Sequence, residues 1–175
     1  MDFYYIIVLF IFGTIFGSFY NVVGTRLAKE ESIVFPPSHC ENCGHRLKFY
    51  ELIPIFSFLI QGGKCRVCKT KLSIKYLLYE VFTGVLFSLC YISFGFNLQL
   101  LLALTFVSIL MIVIISDFDS YIIPDEVLIV GFIMLFIEFI FIYSFKTALL
   151  HLVSGICSFI LMYGLKLFGD FLFKK

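Results

Sequence analysis

Long apolar runs divided by short polar breaks set the pattern of this chain. Five stretches are apolar over about the 20 residues that a helix needs to cross a bilayer: 3–24, 76–96, 98–116, 126–145 and 147–168. Runs of this length and composition predict membrane-spanning helices. "GFN" is all that separates the second run from the third, and "YSFK" separates the fourth from the fifth. Breaks this short predict antiparallel helical hairpins. The first run contains Gly13, Gly17, Ser18 and Asn21. It lacks a basic leader segment and a small-residue cleavage site, so it reads as a retained helix and not as a signal peptide. Gly13 and Gly17 are one turn apart in a small-xxx-small arrangement that permits close helix approach.

Composition agrees with the pattern. Of 175 residues, 61% are hydrophobic and 14% charged, with a mean hydropathy of +1.05. Soluble domains have about 25% charged residues. The chain is therefore an integral, multi-pass, all-α membrane protein with about five transmembrane helices. Its net charge of +1 implies nothing about partners, but the distribution does. Nine of 13 Lys and Arg lie from Arg26 to Lys75. By the positive-inside rule this loop is cytoplasmic. The amino terminus with Asp2 is then outside, while the 117–125 connection and the tail with Lys174 and Lys175 are cytoplasmic. Lys146 is the one base of the outer turns.

The basic loop also holds four of the six cysteines, as "CENC" (Cys40, Cys43) and "CRVC" (Cys65, Cys68), with 21 residues between the pairs. This is close to a four-thiolate zinc pattern. A reducing cytoplasm disfavours two disulfides. Gly44 and the Gly62-Gly63 pair suit the tight turns of ligand knuckles. His39 and His45 flank the first knuckle and read as outer contacts or solvated groups, with substitution as ligands left open. A structural zinc would staple a loop with few large apolar runs. Cys90 and Cys157 lie within apolar spans and read as small buried residues.

The remaining chemistry is acidic. "VIISDFDSYIIPDEVLIVGF" places Asp117, Asp119, Asp125 and Glu126 between two apolar runs. A carboxylate at mid-bilayer costs about 2.5–3.5 kcal/mol on insertion scales, so such groups sit at the boundary or line a wet cavity. They either cap helices or form part of a carboxylate pair that activates water. Pro124, followed by Asp125 and Glu126, suits a helix amino terminus.

Four segments resemble, in order, the type IV prepilin peptidases, a bifunctional leader peptidase and methyltransferase family that includes the competence-pilin processing enzymes of Gram-positive bacteria. "GTIFGSFYNVVGTRL" is similar to the family's opening helix, closed by Arg26. "PPSHCENCGHRL" and "ELIPIFSFLIQGGKCRVCKTKLSIKYLLYE" are similar to its cysteine loop, including Glu51, Pro54, Ser57, Gly63, Ser73, Tyr76 and Glu80. "DFDSYIIPD" is similar to its first catalytic motif. The resemblance implies that Asp117 is the first catalytic aspartate and that Asp119 is not. It divides the chain into an N-terminal region 1–96, made of the first helix, the 26–75 loop and the second helix, and a partial aspartic peptidase membrane domain 97–175.

The family's second aspartate lies in a Gly-x-Gly-Asp motif that the sequence lacks. The late acid Asp170, in "KLFGDFLFKK", has Leu167 where the first Gly belongs and is a weak candidate. The expectation is a chain truncated before the second motif and inactive alone. The resemblance further implies a bacterial cytoplasmic (inner) membrane location and prepilin or pseudopilin substrates. Membrane lipid is then a partner, and nucleic acid is not. S-adenosylmethionine is the cofactor if methylation is retained, although the sequence contains no glycine-rich strand-helix unit for it. Two alternatives stay open on the sequence: a non-catalytic zinc-bearing adaptor that binds prepilins, and a thiol redox membrane protein.

Overall fold

The computed structural model describes residues 2–173; Met1 and the tail lysines Lys174 and Lys175, with their expected cytoplasmic location, lie outside it. Among the described residues every regular element is helical. In chain order these are α1 (Asp2–Leu27), a 3-10 turn (Phe49–Glu51), α2 (Phe56–Ile60), α3 (Ile74–Phe94), α4 (Leu98–Ser120), α5 (Asp125–Ile142) and α6 (Phe145–Phe173). Four of them, α1, α3, α4 and α6, are long and apolar enough to cross a membrane. The fourth expected span is also a helix, but α5 has only 18 residues and carries Asp125, Glu126 and Glu138.

The expected breaks mostly fall as the sequence pattern sets them. Gly95, with φ +62°, ends α3, and its N–H donates to the Tyr91 carbonyl at 2.8 Å. α4 begins three residues later at Leu98. Several ends shift: α1 runs to Leu27 and α6 to Phe173, past the expected 24 and 168, and two of the breaks change. The turn before α6 is only Tyr143-Ser144, because the Ser144 hydroxyl accepts the Thr147 N–H and starts the helix at Phe145. α4 runs to Ser120, past the expected end at 116. The Ser116 hydroxyl donates to the Ile122 carbonyl and closes the turn from outside the helix. Asp117 and Asp119 are therefore on the last helical turn and not in a loop.

The chain divides into two compact units, 1–133 and 134–175. In the first, α1 packs along α3 and also touches α4. An added Cβ on Gly13 would lie 2.7 Å from Gly84 Cα, and one on Gly17 would lie 2.8 Å from Thr83 Oγ1. The absence of side chains at these points is what lets the two backbones meet. Gly24, about two turns further along the same face, does the same for α4, where a Cβ would meet the Ile112 carbonyl at 3.0 Å. Tyr20, Phe87, Met111 and Ile115 fill the space between the three helices. Their polar neighbours are satisfied: the Tyr20 hydroxyl donates to Ser108 Oγ at 2.6 Å, and Ser88 Oγ donates to the Ile6 carbonyl at 3.1 Å. In the second unit, Phe139 of α5 meets His151 of α6 edge-on, with ring centroids 5.0 Å apart.

Candidate metal centre, loop cavity and acidic helix end

Between α1 and α3 the chain folds into two knuckles of the same design. In the first, the Gly44 N–H donates to the Cys40 carbonyl at 2.8 Å, and the Cys40 N–H donates to the His45 carbonyl at 2.9 Å. In the second, the Lys69 N–H donates to the Cys65 carbonyl at 3.1 Å, and the Cys65 N–H donates to the Thr70 carbonyl at 2.9 Å. The residue four places after the first cysteine of each pair has positive φ, +68° at Gly44 and +58° at Lys69. Gly44 is free of the Cβ penalty there, and Lys69 is not. Gly62 and Gly63 precede the second knuckle, and the Gly63 carbonyl closes it by accepting the Leu72 N–H at 2.8 Å, as the Ser38 carbonyl accepts the Leu47 N–H at 2.9 Å in the first. The Gly62 and Gly63 N–H groups donate to the Leu59 and Phe58 carbonyls and terminate α2, a helix-ending role to which their positive φ is suited.

The knuckles bring the Sγ atoms of Cys40, Cys43, Cys65 and Cys68 to within 4.8 Å of one another. Cys40 and Cys68 are 3.7 Å apart, and Cys43 and Cys65 are 3.9 Å apart. Four thiolates on a tetrahedron about 2.3 Å from zinc would be about 3.8 Å apart. The donor set therefore fits the ion. The thiols are unequal: the Thr70 hydroxyl and N–H, with Asn42, hold Cys68 down at about 5. The His45 N–H acts to lower the Cys43 thiol, but desolvation and the sulfurs of Cys68, Cys40 and Cys65 outweigh it and push it up to about 11. Crowded sulfurs resist joint ionisation, and a divalent cation removes that resistance.

Neither histidine is among the four donors. His39 Nδ1 lies 3.0 Å from the Pro37 carbonyl, and His45 Nε2 lies 3.3 Å from Glu51 Oε2. Glu51 is buried, accepts the Lys48 N–H at 2.9 Å and approaches Arg66 Nε at 3.8 Å. One carboxylate thus joins the first knuckle, through His45, to the second, through Arg66. The Lys48 N–H, with His45 and Arg66, holds it below the usual carboxylate range. Glu51 belongs to a matching segment of the sequence, but nothing in that segment discloses this structural task.

A cavity of about 690 Å³ lies where the loop meets α1 and α3. Asn21, Arg26, Glu51, Ser57, Tyr76 and Glu80 all line it. These positions, scattered through the matching segments, share one space. Glu80 also ties the loop down: its Oε2 accepts the Ile55 N–H at 2.7 Å.

The acidic cluster is split by its partners. Asp119 Oδ2 lies 3.6 Å from Lys29 Nζ of the loop's first residues, and Lys75 Nζ donates to the Phe118 carbonyl at 3.5 Å. Asp117 is exposed on the same turn, and its backbone carbonyl accepts the Tyr121 N–H at 2.9 Å. Asp125 and Glu126 occupy the first turn of α5, and Pro124 before them is buried. Asp170 is exposed on α6 in the second unit.

Helices of this length around a four-thiolate loop define a multi-pass helical membrane protein with a cysteine metal-site module. Residues 11–94 match the bacterial peptidase A24 N-terminal domain. The chain is 44% identical over 122 residues to a prepilin leader peptidase/N-methyltransferase of Bacillus subtilis, covering 70% of this chain and 49% of that protein. It is 38% identical over 156 residues to the Myxococcus xanthus protein of the same name, covering 88% and 47%. With the Vibrio cholerae protein it is 30% identical over 175 residues, covering 93% and 67%. The chain belongs to the prepilin leader peptidase/N-methyltransferase family. It spans about half the length of the first two of these relatives. No solved structure matches it.

Proposed function

We propose that the chain carries the zinc loop and the first aspartate of a membrane aspartic endopeptidase. That enzyme removes the leader of prepilin-like proteins at the cytoplasmic face of the bacterial inner membrane. The observation that carries this reading is the state of Asp117. Among the described residues no ion pair or hydrogen bond engages its carboxylate, whereas Asp119 on the same turn is committed to Lys29. An uncommitted carboxylate at a helix end, in reach of water, suits one member of a proton-sharing pair. One member takes a proton from the attacking water, and the other donates to the peptide oxygen. The partner aspartate is that of the family's Gly-x-Gly-Asp motif; Asp170 offers only Leu-Phe-Gly-Asp. Zinc on Cys40, Cys43, Cys65 and Cys68 is structural: it fixes the two knuckles, and a closed four-thiolate set leaves no position for substrate.

The loop cavity fits the methylation half of the family name. Its volume lies within the range of about 300–1,000 Å³ for small-ligand sites. Arg26 and Lys29 offer cations to the carboxylate of S-adenosylmethionine, and Glu51 and Glu80 offer acids to its positive groups. When bound, that cofactor supplies an electrophilic methyl group for the new amino terminus.

The test is cleavage of a prepilin in a version of the protein that extends through a Gly-x-Gly-Asp aspartate. Asp117→Asn should abolish cleavage with protein level and zinc content intact, while Asp119→Asn and Glu126→Gln should cost little. Full activity of Asp117→Asn would refute the assignment. Prepilin captured but never cleaved by any version would favour the adaptor reading. Cleavage by the 175-residue chain alone, dependent on Asp170, would remove the need for the two-glycine motif.

A further inference from the structure

The cysteine loop does not rise straight away from the membrane helices. Its middle is drawn back along α3 by the bond from the Ile55 N–H to Glu80. Glu80 is six residues past Ile74, the first residue of α3, so this anchor lies about 9 Å along the helix axis from its start. α2 follows at once and leaves Phe56, Leu59 and Ile60 exposed at 65%, 61% and 75%. The chain then climbs back: the Gly63 carbonyl accepts the Leu72 N–H at 2.8 Å, just before Ser73 caps α3. Three bulky apolar side chains are thereby held beside the entry of a transmembrane helix. Interfacial helices immerse their apolar faces by a similar depth, about 5–10 Å.

Directly after α2 comes a shallow cavity of about 350 Å³, lined by Ile60, Gln61, Lys64, Cys65, Arg66 and Lys69. Three of the six are cations and none is acidic. Lys64 and Lys69 are exposed, and Lys64 is bridged to Lys71, two residues before the α3 cap. The cations thus sit at the level where α3 begins, with the apolar group on the membrane side of them. That is the order of phosphate and acyl chain in a lipid. The whole 26–75 window carries nine bases against four acids, and polybasic segments beside a membrane collect anionic lipid.

We propose that α2 is an interfacial helix and that the cavity behind it binds the headgroup phosphate of an anionic membrane lipid. Phe56, Leu59 and Ile60 immerse in the acyl region, and Lys64 and Lys69 hold the phosphate. Arg66 is shared, since it also approaches Glu51. The consequence for function is that lipid would fix the height of the zinc loop and its cavity above the bilayer. This rests on the proposed placement of the loop at the cytoplasmic face, where anionic lipid is encountered.

The chain contains no Trp, so one introduced at position 60 is a unique fluorophore. Ile60→Trp and, separately, Leu59→Trp would be made in the 175-residue chain and reconstituted in nanodiscs. The lipids are brominated phosphatidylglycerol or brominated phosphatidylcholine in an unlabelled phosphatidylcholine background. Nanodiscs present the same lipid on both faces, so a reversed topology leaves the readout unchanged, and leader cleavage is not read. Both variants should be quenched, and more by the anionic lipid. Glu41→Trp, at the tip of the first knuckle, should not be quenched. Adding Lys64→Gln and Lys69→Gln should reduce the anionic preference by about fivefold per lysine, with zinc content unchanged. Absence of quenching in both variants would overturn the proposal and favour a protein partner for α2. Equal quenching by both lipids, or reversal by inorganic phosphate, would overturn the lipid headgroup assignment.

Discussion

Gly13→Ala is the smallest change that probes how this membrane fold is held. A Cβ at Gly13 would lie 2.7 Å from Gly84 Cα and 2.8 Å from the Thr83 carbonyl. Both are backbone atoms, so no flexible side chain can swing aside. Ordinary carbon contacts lie at about 3.5–4.0 Å, which requires α1 and α3 to separate by roughly 0.8 Å at the crossing. Separation loosens Tyr20 and Phe87, which pack where these helices meet α4. Overpacking of this kind costs about 1–3 kcal/mol. At about 2–4 °C per kcal/mol for a chain of this size, the expected loss of Tm is on the order of 3–10 °C.

The control is inside the same molecule. A methyl group added at Gly164 on α6 would have nothing within 4 Å, so Gly164→Ala should be neutral or slightly stabilising, given the helix preference of Ala. Thermal unfolding in a fixed detergent, followed by circular dichroism, compares the two. Gly84→Ala, whose Cβ would meet the Phe10 carbonyl at 2.9 Å, should lower Tm as Gly13→Ala does. The double variant should be less than additive, because one separation relieves both contacts. Equal Tm for Gly13→Ala and Gly164→Ala would refute the close-approach reasoning.

Purified protein should contain about one zinc per chain, and Cys40→Ser or Cys65→Ser should lose it, as elemental analysis would read; metal-free protein with unchanged folding would end the zinc assignment. Glu51→Gln should lower Tm at neutral pH by releasing the two knuckles from their shared carboxylate. Because Glu51 is held below its ordinary value in the fold, its contribution is present above the unfolded carboxylate pKa and is lost as pH falls through the folded one. The Tm values of wild type and Glu51→Gln should therefore converge in acid, and a constant gap would contradict this. A single added cysteine at Lys146 should react with an impermeant maleimide in intact cells, while one at Lys48 should not.

What the sequence revealed depended on whether the signal was local. Apolar length alone marks the helices, since a bilayer demands it, and the Cys-x-x-Cys spacing alone marks the four cysteines whose sulfurs converge. Glycine pairs one turn apart mark a close approach, and Gly13 and Gly17 make one. Their counterpart Gly84 and the separate contact of Gly24 with α4 were not legible, because the partner is distant in sequence. The same limit explains Glu51 and Glu80. They are the two acids at the ends of one long segment, and each has its task set by groups several to many residues away: His45 and Arg66 for one, the Ile55 N–H for the other. The positive φ at Lys69 was hidden for another reason. The matching position of the first knuckle is Gly44, while the glycines near the second stand six and seven residues before Lys69, where they end α2 and Gly63 closes the base of the knuckle. A second knuckle with a strained lysine where the first has Gly44 must be held in shape by its surroundings. The Lys69–Cys65, Cys65–Thr70 and Leu72–Gly63 backbone bonds supply that hold. The four-cysteine cluster is thus not an addition to a finished loop: the bonds that shape the second knuckle also seat Cys65 among the other sulfurs and place Cys65 and Thr70 in the cavity wall.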